Sequence, residues 1–139
     1  WAFGLLLGIG LASCATTEPL PVTPVAERPD VVVQRGTAVY YASRFHGRRT
    51  ASGVRLDNGA MVAAHPFASF GCIVRVTNLS EGKSVDVTIV DRGPSPRGQR
   101  RGIVIDVSQA AARELAFRGR GTAAVEVAIP KHCASGAPT

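Results

Sequence analysis

Ile73-Val74-Arg75-Val76-Thr77-Asn78 and Ser84-Val85-Asp86-Val87-Thr88-Ile89-Val90-Asp91 decide the fold class. In both stretches apolar and polar residues alternate, the pattern of a strand with one buried face. Ser80-Glu81-Gly82-Lys83 between them supplies a turn, so the two runs are predicted to pair as a hairpin. Working outward, Gly36–Ala42, Ile103–Val107 and Thr122–Ile129 are further short β-type runs set between glycine-rich turns. Only Ser108–Phe117 reads as a helix. Ser108 can cap it, Ala111, Ala112 and Leu115 share one face, and Gly119 follows its end. Many short strands with one small helix predict a mainly β, compact barrel.

The composition sets bounds on function. Of 139 residues, 45% are hydrophobic and 19% charged, which excludes a disordered chain and allows one ordinary domain. Aromatic residues are only 6%, too few for a base-stacking platform, so no nucleic-acid partner is expected. The formal charge of +6 favours an anionic partner: a polyanionic polymer, a cell-wall glycan or a membrane surface. Glu18, Glu27 and Asp30 face only Arg28 before residue 31, so the positive charge belongs to the later segment.

Trp1–Ala12 (WAFGLLLGIGLA) is uncharged and apolar, but shorter than the about 20 residues a spanning helix needs. It has the form of a signal-peptide core, expected to be N-terminally incomplete because no Met or basic leader precedes it. Leu11-Ala12-Ser13-Cys14 resembles the lipobox of bacterial lipoproteins, which implies cleavage before Cys14 and lipid attachment there. The sequence thus divides into a signal peptide (1–13), a lipidated, Pro-rich tether (14–34), a folded domain (35–130) and a short tail (131–139). Ala15 lacks the aspartate that retains some lipoproteins at the inner membrane. The expected location is the bacterial envelope, at the outer membrane facing the periplasm. Export leaves Cys72 and Cys133 as an even pair in an oxidising compartment, either a disulfide or two buried thiols. If bonded, they close a loop of about 60 residues, worth roughly 4 kcal/mol. His46, His65 and His132 lack metal-ligand spacing and no Cys-x-x-Cys occurs, so no metal is expected.

Four polar stretches interrupt the apolar runs: Phe45–Gly53, Ala63-Ala64-His65-Pro66, Asp91-Arg92-Gly93-Pro94 and Ile105-Asp106-Val107-Ser108. Each has a plain structural explanation. Asp91–Pro94 makes a good turn, Asp106 favours a helix N-terminus, and His65 can be a hydrogen-bonded structural imidazole.

Taken in order, these stretches resemble the rare lipoprotein A family of lytic transglycosylases. The resemblance runs through Gly36-Thr37-Ala38, Tyr41, Phe45-His46-Gly47-Arg48, Thr50-Ala51-Ser52-Gly53, Ala63-Ala64-His65, Val74–Leu79, Asp91-Arg92-Gly93-Pro94 and Ile105-Asp106-Val107-Ser108. It covers roughly Gly36–Ile129 and implies a six-stranded double-psi β-barrel with one or two short helices. It also implies endolytic cleavage of the β-1,4 bond between N-acetylmuramic acid and N-acetylglucosamine, leaving a 1,6-anhydro end, without cofactor. The implied partners are peptidoglycan strands, the membrane through Cys14, and division or wall-synthesis proteins. The family pattern makes Asp91 the first choice for general acid/base and His65 its positioning partner. Asp106 is the rival acid, because related double-psi barrels such as expansins carry a key aspartate there. Tyr41, His46, Arg48, Thr50, Asn78 and Arg92 fall at substrate-binding positions.

The chain also departs from the family. Val54 stands where Glu usually follows Thr-Ala-(Ser/Asn)-Gly, and Tyr40-Tyr41-Ala42 replaces Trp-Tyr-Gly. The stretch between Asp91 and Asp106 is longer than usual and adds Arg97, Arg100 and Arg101, read either as a solvated loop or as a contact to wall carboxylates or anionic lipid. Val54 favours an alternative function, a non-catalytic, expansin-like module that binds and loosens peptidoglycan.

Overall fold

The computed structural model describes residues 30–134 and 136. Through them run six strands, β1 (Val31–Tyr40), β2 (Val62–Ala64), β3 (Ile73–Asn78), β4 (Ser84–Asp91), β5 (Ile103–Val107) and β6 (Ala123–Pro130). Two short helices, α1 (Pro96–Arg100) and α2 (Gln109–Glu114), flank β5, and 3-10 turns form at Ser43–Phe45 and Lys131–Cys133. β3 and β4 form the antiparallel hairpin that their alternation predicts, with Val74 facing Val87 and Thr77 facing Ser84.

The strands close in the order β1-β5-β2-β4-β3-β6, so among the described residues no sheet edge is left to attract another chain. β1 lies parallel to β5 and β2 parallel to β4, while the other four pairings are antiparallel. Parallel neighbours cannot be joined by tight turns. Strands consecutive in sequence but not neighbours, such as β1 and β2, are joined by long connections; the one after β1 carries Phe45–Gly53, while Asp91 and Asp106 sit in β4 and β5. The interior is filled by alternate residues of every strand. Val74, Val76, Val87, Ile89, Ile105, Val107, Val125, Val127 and Ile129 are wholly buried with Leu115.

Several boundaries differ from the sequence reading. β1 begins at Val31, not Gly36, because the β-branched run Val31-Val32-Val33 pairs with Pro130, Ile129 and Ala128 of β6. The last four residues assigned to the tether are thus barrel strand. β2, only three residues long, carried too little periodicity to read as a strand. The arginine-rich loop contains α1, capped by the Ser95 hydroxyl, which accepts from Gly98 N at 3.3 Å. α2 is capped by Ser108 as expected but stops before Ala116, which adopts φ 60°. Leu115 and Phe117 on either side are both buried, and the left-handed residue between them turns the chain so that both reach the core. Such a conformation costs an alanine about 1–2 kcal/mol. Cys72 and Cys133 form a disulfide that ties the loop before β3 to the turn after β6. The signal segment, Cys14 and residues 14–29 of the tether lie outside the described residues.

Gly36 marks the tightest crossing in β1. A Cβ there would meet Val104 Cγ1 and stand 2.7 Å from the carbonyl oxygen of Gly102, a backbone atom with no room to withdraw. Gly36→Ala is expected to destabilise the barrel by about 1–3 kcal/mol. The check is urea denaturation, with a lower midpoint at unchanged slope.

Candidate active site

Two carboxylates meet around one alanine. Ala64 at the end of β2 pairs with Asp91 of β4 on one side and with Asp106 of β5 on the other. Two inter-strand steps separate the backbones of the acids by roughly 10 Å. The β2–β4 register slips at this point, Ala63 facing Ile89 but Ala64 facing Asp91. Bulges of this kind re-aim side chains beside active sites.

The two acids have opposite surroundings. Asp91 accepts three hydrogen bonds: Tyr41 Oη donates to Oδ2 at 2.7 Å, and the amides of Ala51 and Arg92 donate to Oδ1 at 2.8 and 2.9 Å. Asp106 has no such donors, and its Oδ1 is buried with no hydrogen-bond partner among the described residues. Gly93 passes directly over it, since a Cβ on that glycine would lie 2.9 Å from Asp106 Oδ2. Burial, and then the nearby charge of Asp91, push the Asp106 carboxyl up to about 6. Burial and the bond to Asp91 hold the Tyr41 phenol well above its usual range.

Asp91 lies in a groove of about 290 Å³ lined also by Tyr41, Phe45, Arg48, Arg49, Thr50 and Leu56. The Arg48 guanidinium sits 5.5 Å and that of Arg44 4.8 Å from the centre of the Phe45 ring, placing cations on an aromatic floor. A loop forms one rim, closed by Leu56 N donating to Arg48 O and Thr50 N donating to Val54 O, both at 2.8 Å. Val54 is half exposed on that loop.

Not every predicted site residue joins this group. Tyr41, Arg48 and Thr50 line the groove with Asp91, but the Thr50 hydroxyl is committed to Val54 O at 2.7 Å. His46 Nδ1 accepts from Asn58 N at 3.1 Å and steadies its own loop. Asn78 stands apart, at the end of β3. Its amide donates to Leu115 O at 2.8 Å and its Oδ1 accepts from Ser80 N and Glu81 N, so it secures the hairpin turn and the end of α2. Arg92 turns away from the acids, donating to Ala68 O at 2.7 Å and stacking 3.9 Å from the centre of the Phe70 ring.

His65 also differs from its expected role. Its backbone amide donates to Asp91 O at 3.2 Å, but its wholly buried ring makes no hydrogen bond to either carboxylate. Nδ1 accepts from Ala68 N at 3.0 Å, so the proton belongs on Nε2, which donates to Gln34 Oε1 at 2.9 Å. Burial, and then the charge of Arg92, lower its pKa to about 4. It is a neutral brace for the loop beneath Asp91. The sequence reading missed Gln34, whose one clue was polarity after three valines, and Ala51, which contributes only its backbone. For metal, Cys72, His132 and Cys133 lie within 4.8 Å of one another, but the disulfide occupies both sulfurs.

With this geometry established, comparison with known proteins finds a family described as "Lytic transglycolase" matching residues 33–127. The endolytic peptidoglycan transglycosylase RlpA of Neisseria meningitidis serogroup B is 47% identical over 107 residues, covering 77% of this chain and 41% of that protein. The probable endolytic peptidoglycan transglycosylase RlpA of Aquifex aeolicus is 41% identical over 95 residues, 68% of this chain and 40% of the relative. The chain thus spans less than half the length of these relatives. Among solved structures, the Streptomyces papain inhibitor superimposes with a TM-score of 0.54 at 25% identity, covering 71% of this chain and 94% of that one. A Clavibacter michiganensis expansin mutant in complex with cellohexaose gives a TM-score of 0.52 at 19% identity, covering 69% and 49%. The expansin shares the fold.

The opposed environments of His65 and Asp106 have an acid-stability consequence. Below pH 6.5 the unfolded chain protonates His65 while the native ring resists to about 4, so this residue loses stability as pH falls through that window. Asp106 acts the other way. Its native carboxyl takes a proton near 6 and its unfolded one near 3.8, so stability is gained as pH falls between them. Asp106→Asn is expected to remove that compensation, giving a steeper drop in the urea midpoint between pH 6.5 and 4.5 than in the unsubstituted protein. Parallel pH profiles would refute these environments.

Proposed function

The chain belongs to the RlpA family of lytic transglycosylases with a double-psi β-barrel, and from that membership we propose that it cleaves peptidoglycan glycan strands endolytically. The bond broken is the β-1,4 link between N-acetylmuramic acid and N-acetylglucosamine, and the product carries a 1,6-anhydro end. The observation that supports this reading most directly is the divided pair of acids, one in a net of donors and the other half-buried with one oxygen left without a partner. Two carboxyl groups whose environments differ in this way divide the tasks of acid and counter-charge.

Asp106 is the proton donor in this mechanism, and the preference that family pattern gave to Asp91 is reversed. A carboxyl pushed up to about 6 holds a proton near neutrality better than an ordinary aspartate. Its proton passes to the glycosidic oxygen as the C1–O4 bond breaks. The muramyl 6-hydroxyl then closes on C1 and returns a proton to the same carboxylate, so no water is consumed and the acid is regenerated. Asp91, fixed by Tyr41, Ala51 and Arg92, steadies the positive charge that develops at C1. Phe45 and the arginines beside it supply a sugar-stacking floor with cationic edges.

The protein acts in the bacterial envelope, lipid-anchored through Cys14 at the outer membrane, with division or wall-synthesis proteins as its recruiting partners. The non-catalytic, wall-loosening alternative rests on Val54, whose half-exposed side chain on the groove rim offers no proton or sugar hydrogen bond.

The test is digestion of intact and peptide-stripped sacculi, with mass spectrometry for anhydromuramyl ends. Asp106→Asn is expected to lower the rate by about 10²–10⁴-fold. Above pH 6 the rate falls about tenfold per pH unit, because the protonated acid is required. In Asp91→Asn that limb moves to lower pH, since the neighbouring charge that raises Asp106 is gone. Full activity in Asp106→Asn would return the donor role to Asp91. Binding to sacculi without release of any anhydro product would select the wall-loosening reading.

A further inference from the structure

A second cavity, of about 440 Å³, is lined by Gln34 of β1, Pro66 and Phe67 after β2, Gln99 of α1, and Ile103 and Val104 of β5. Like most small-molecule sites, it sets a few polar groups among apolar walls. None of these side chains is charged, so the cavity suits a neutral group. The mechanism above leaves both glutamines unused.

Neighbouring groups fix which end of each glutamine is free. His65 Nδ1 accepts from Ala68 N, so Nε2 carries the proton and donates to Gln34 Oε1 at 2.9 Å. The Gln34 amide nitrogen then keeps its donors, with no partner among the described residues. Gln99 is turned the other way. Its Nε2 donates to the Pro94 carbonyl at 3.0 Å, which leaves its oxygen as the free acceptor. Phe67 stands edge-on to the His65 ring, 4.5 Å between centres, and Pro66, Ile103 and Val104 extend this apolar wall.

The cavity also has a defined place beside the acids. Tyr41 N donates to Val107 O at 3.0 Å, so along β5 the groove residue Tyr41 lies on one side of Asp106 and Val104 on the other. Val104 is two residues from Asp106, about 7 Å along the strand. The Pro94 carbonyl that holds Gln99 follows Gly93, the residue over Asp106. We infer that this cavity binds the acetamido group of an N-acetylated sugar. The Gln34 donor meets the amide carbonyl, the Gln99 acceptor meets the amide N–H, and the methyl group packs on Phe67 and its apolar neighbours. A sugar hydroxyl donates or accepts by rotation, so it needs no preset pair and leaves the apolar wall uncovered. This site deepens the glycan-cleaving reading and rests on it for the choice of a sugar.

The experiment is NMR titration of the isotope-labelled full chain with chitotetraose, whose β-linked sugars carry acetamido groups, and with cellotetraose, which lacks them. Chitotetraose is expected to shift the side-chain amide signals of Gln34 and Gln99 and to bind about tenfold more tightly than cellotetraose. Gln34→Glu keeps an acceptor for His65 but removes the donor, and Gln99→Leu removes the acceptor. Each is expected to weaken chitotetraose about fivefold and to leave cellotetraose unchanged. Circular dichroism confirms that each variant is folded. Equal affinity for the two sugars, or chitotetraose binding that leaves both glutamine signals unmoved, overturns the proposal. So does N-acetylalanine methylamide binding there as tightly as chitotetraose, which assigns the cavity to stem-peptide amides. Release of anhydro ends by a chain whose cavity ignores chitotetraose refutes this site alone. Chitotetraose in the cavity without such release from sacculi refutes the cleavage reading alone.

Discussion

One methyl group governs the site. Ala64 is fully buried between the strands that carry Asp91 and Asp106, and its small size lets two carboxyl groups lean toward each other across a single strand. The coupling between the acids depends on that spacing, because charge interaction weakens with distance. Gly93 completes the constraint from above, where any side chain would strike Asp106. The loop can then cover one oxygen of the second acid, Asp106 Oδ1, while the first acid faces the groove. A barrel built from parallel and antiparallel neighbours makes this arrangement available, since β2 hydrogen-bonds β4 in one sense and β5 in the other.

Much of the fold was legible because it rests on alternation. β3, β4 and β5 begin and end where the sequence pattern places them, each showing apolar residues against polar or turn residues. What escaped has physical causes. A three-residue β2 holds too few side chains to display a period, and α1 is a five-residue helix, two of its residues arginine, without an apolar stripe. The end of α2 was placed near Gly119 because glycine is the usual helix terminator. Burial of Leu115 and Phe117 instead makes an alanine adopt the left-handed turn.

The candidate site was legible in its membership but not in its roles. Asp91 and Asp106 stood out as acids in the polar stretches, and the family resemblance added Tyr41 and Arg48. Which acid holds a proton depends on burial and on backbone donors such as the amide of Ala51, and neither is written in residue type. His65 illustrates the same limit. The resemblance made it a partner that positions Asp91, yet its ring is spent on Gln34 and the Ala68 amide. Asn78, in a stretch of high resemblance, serves the hairpin turn.

The way β1 is held has a mechanical meaning. Eight residues of β1 pair antiparallel with β6 and four pair parallel with β5. A pull along β1 loads both ladders in shear. Many hydrogen bonds then share the force at once instead of opening singly as in a peeled hairpin. The disulfide fastens the turn after β6 to the loop before β3, so the strand that bears most of this load cannot peel away in its turn. Tension along β1 thus passes through the strongest direction of the sheet.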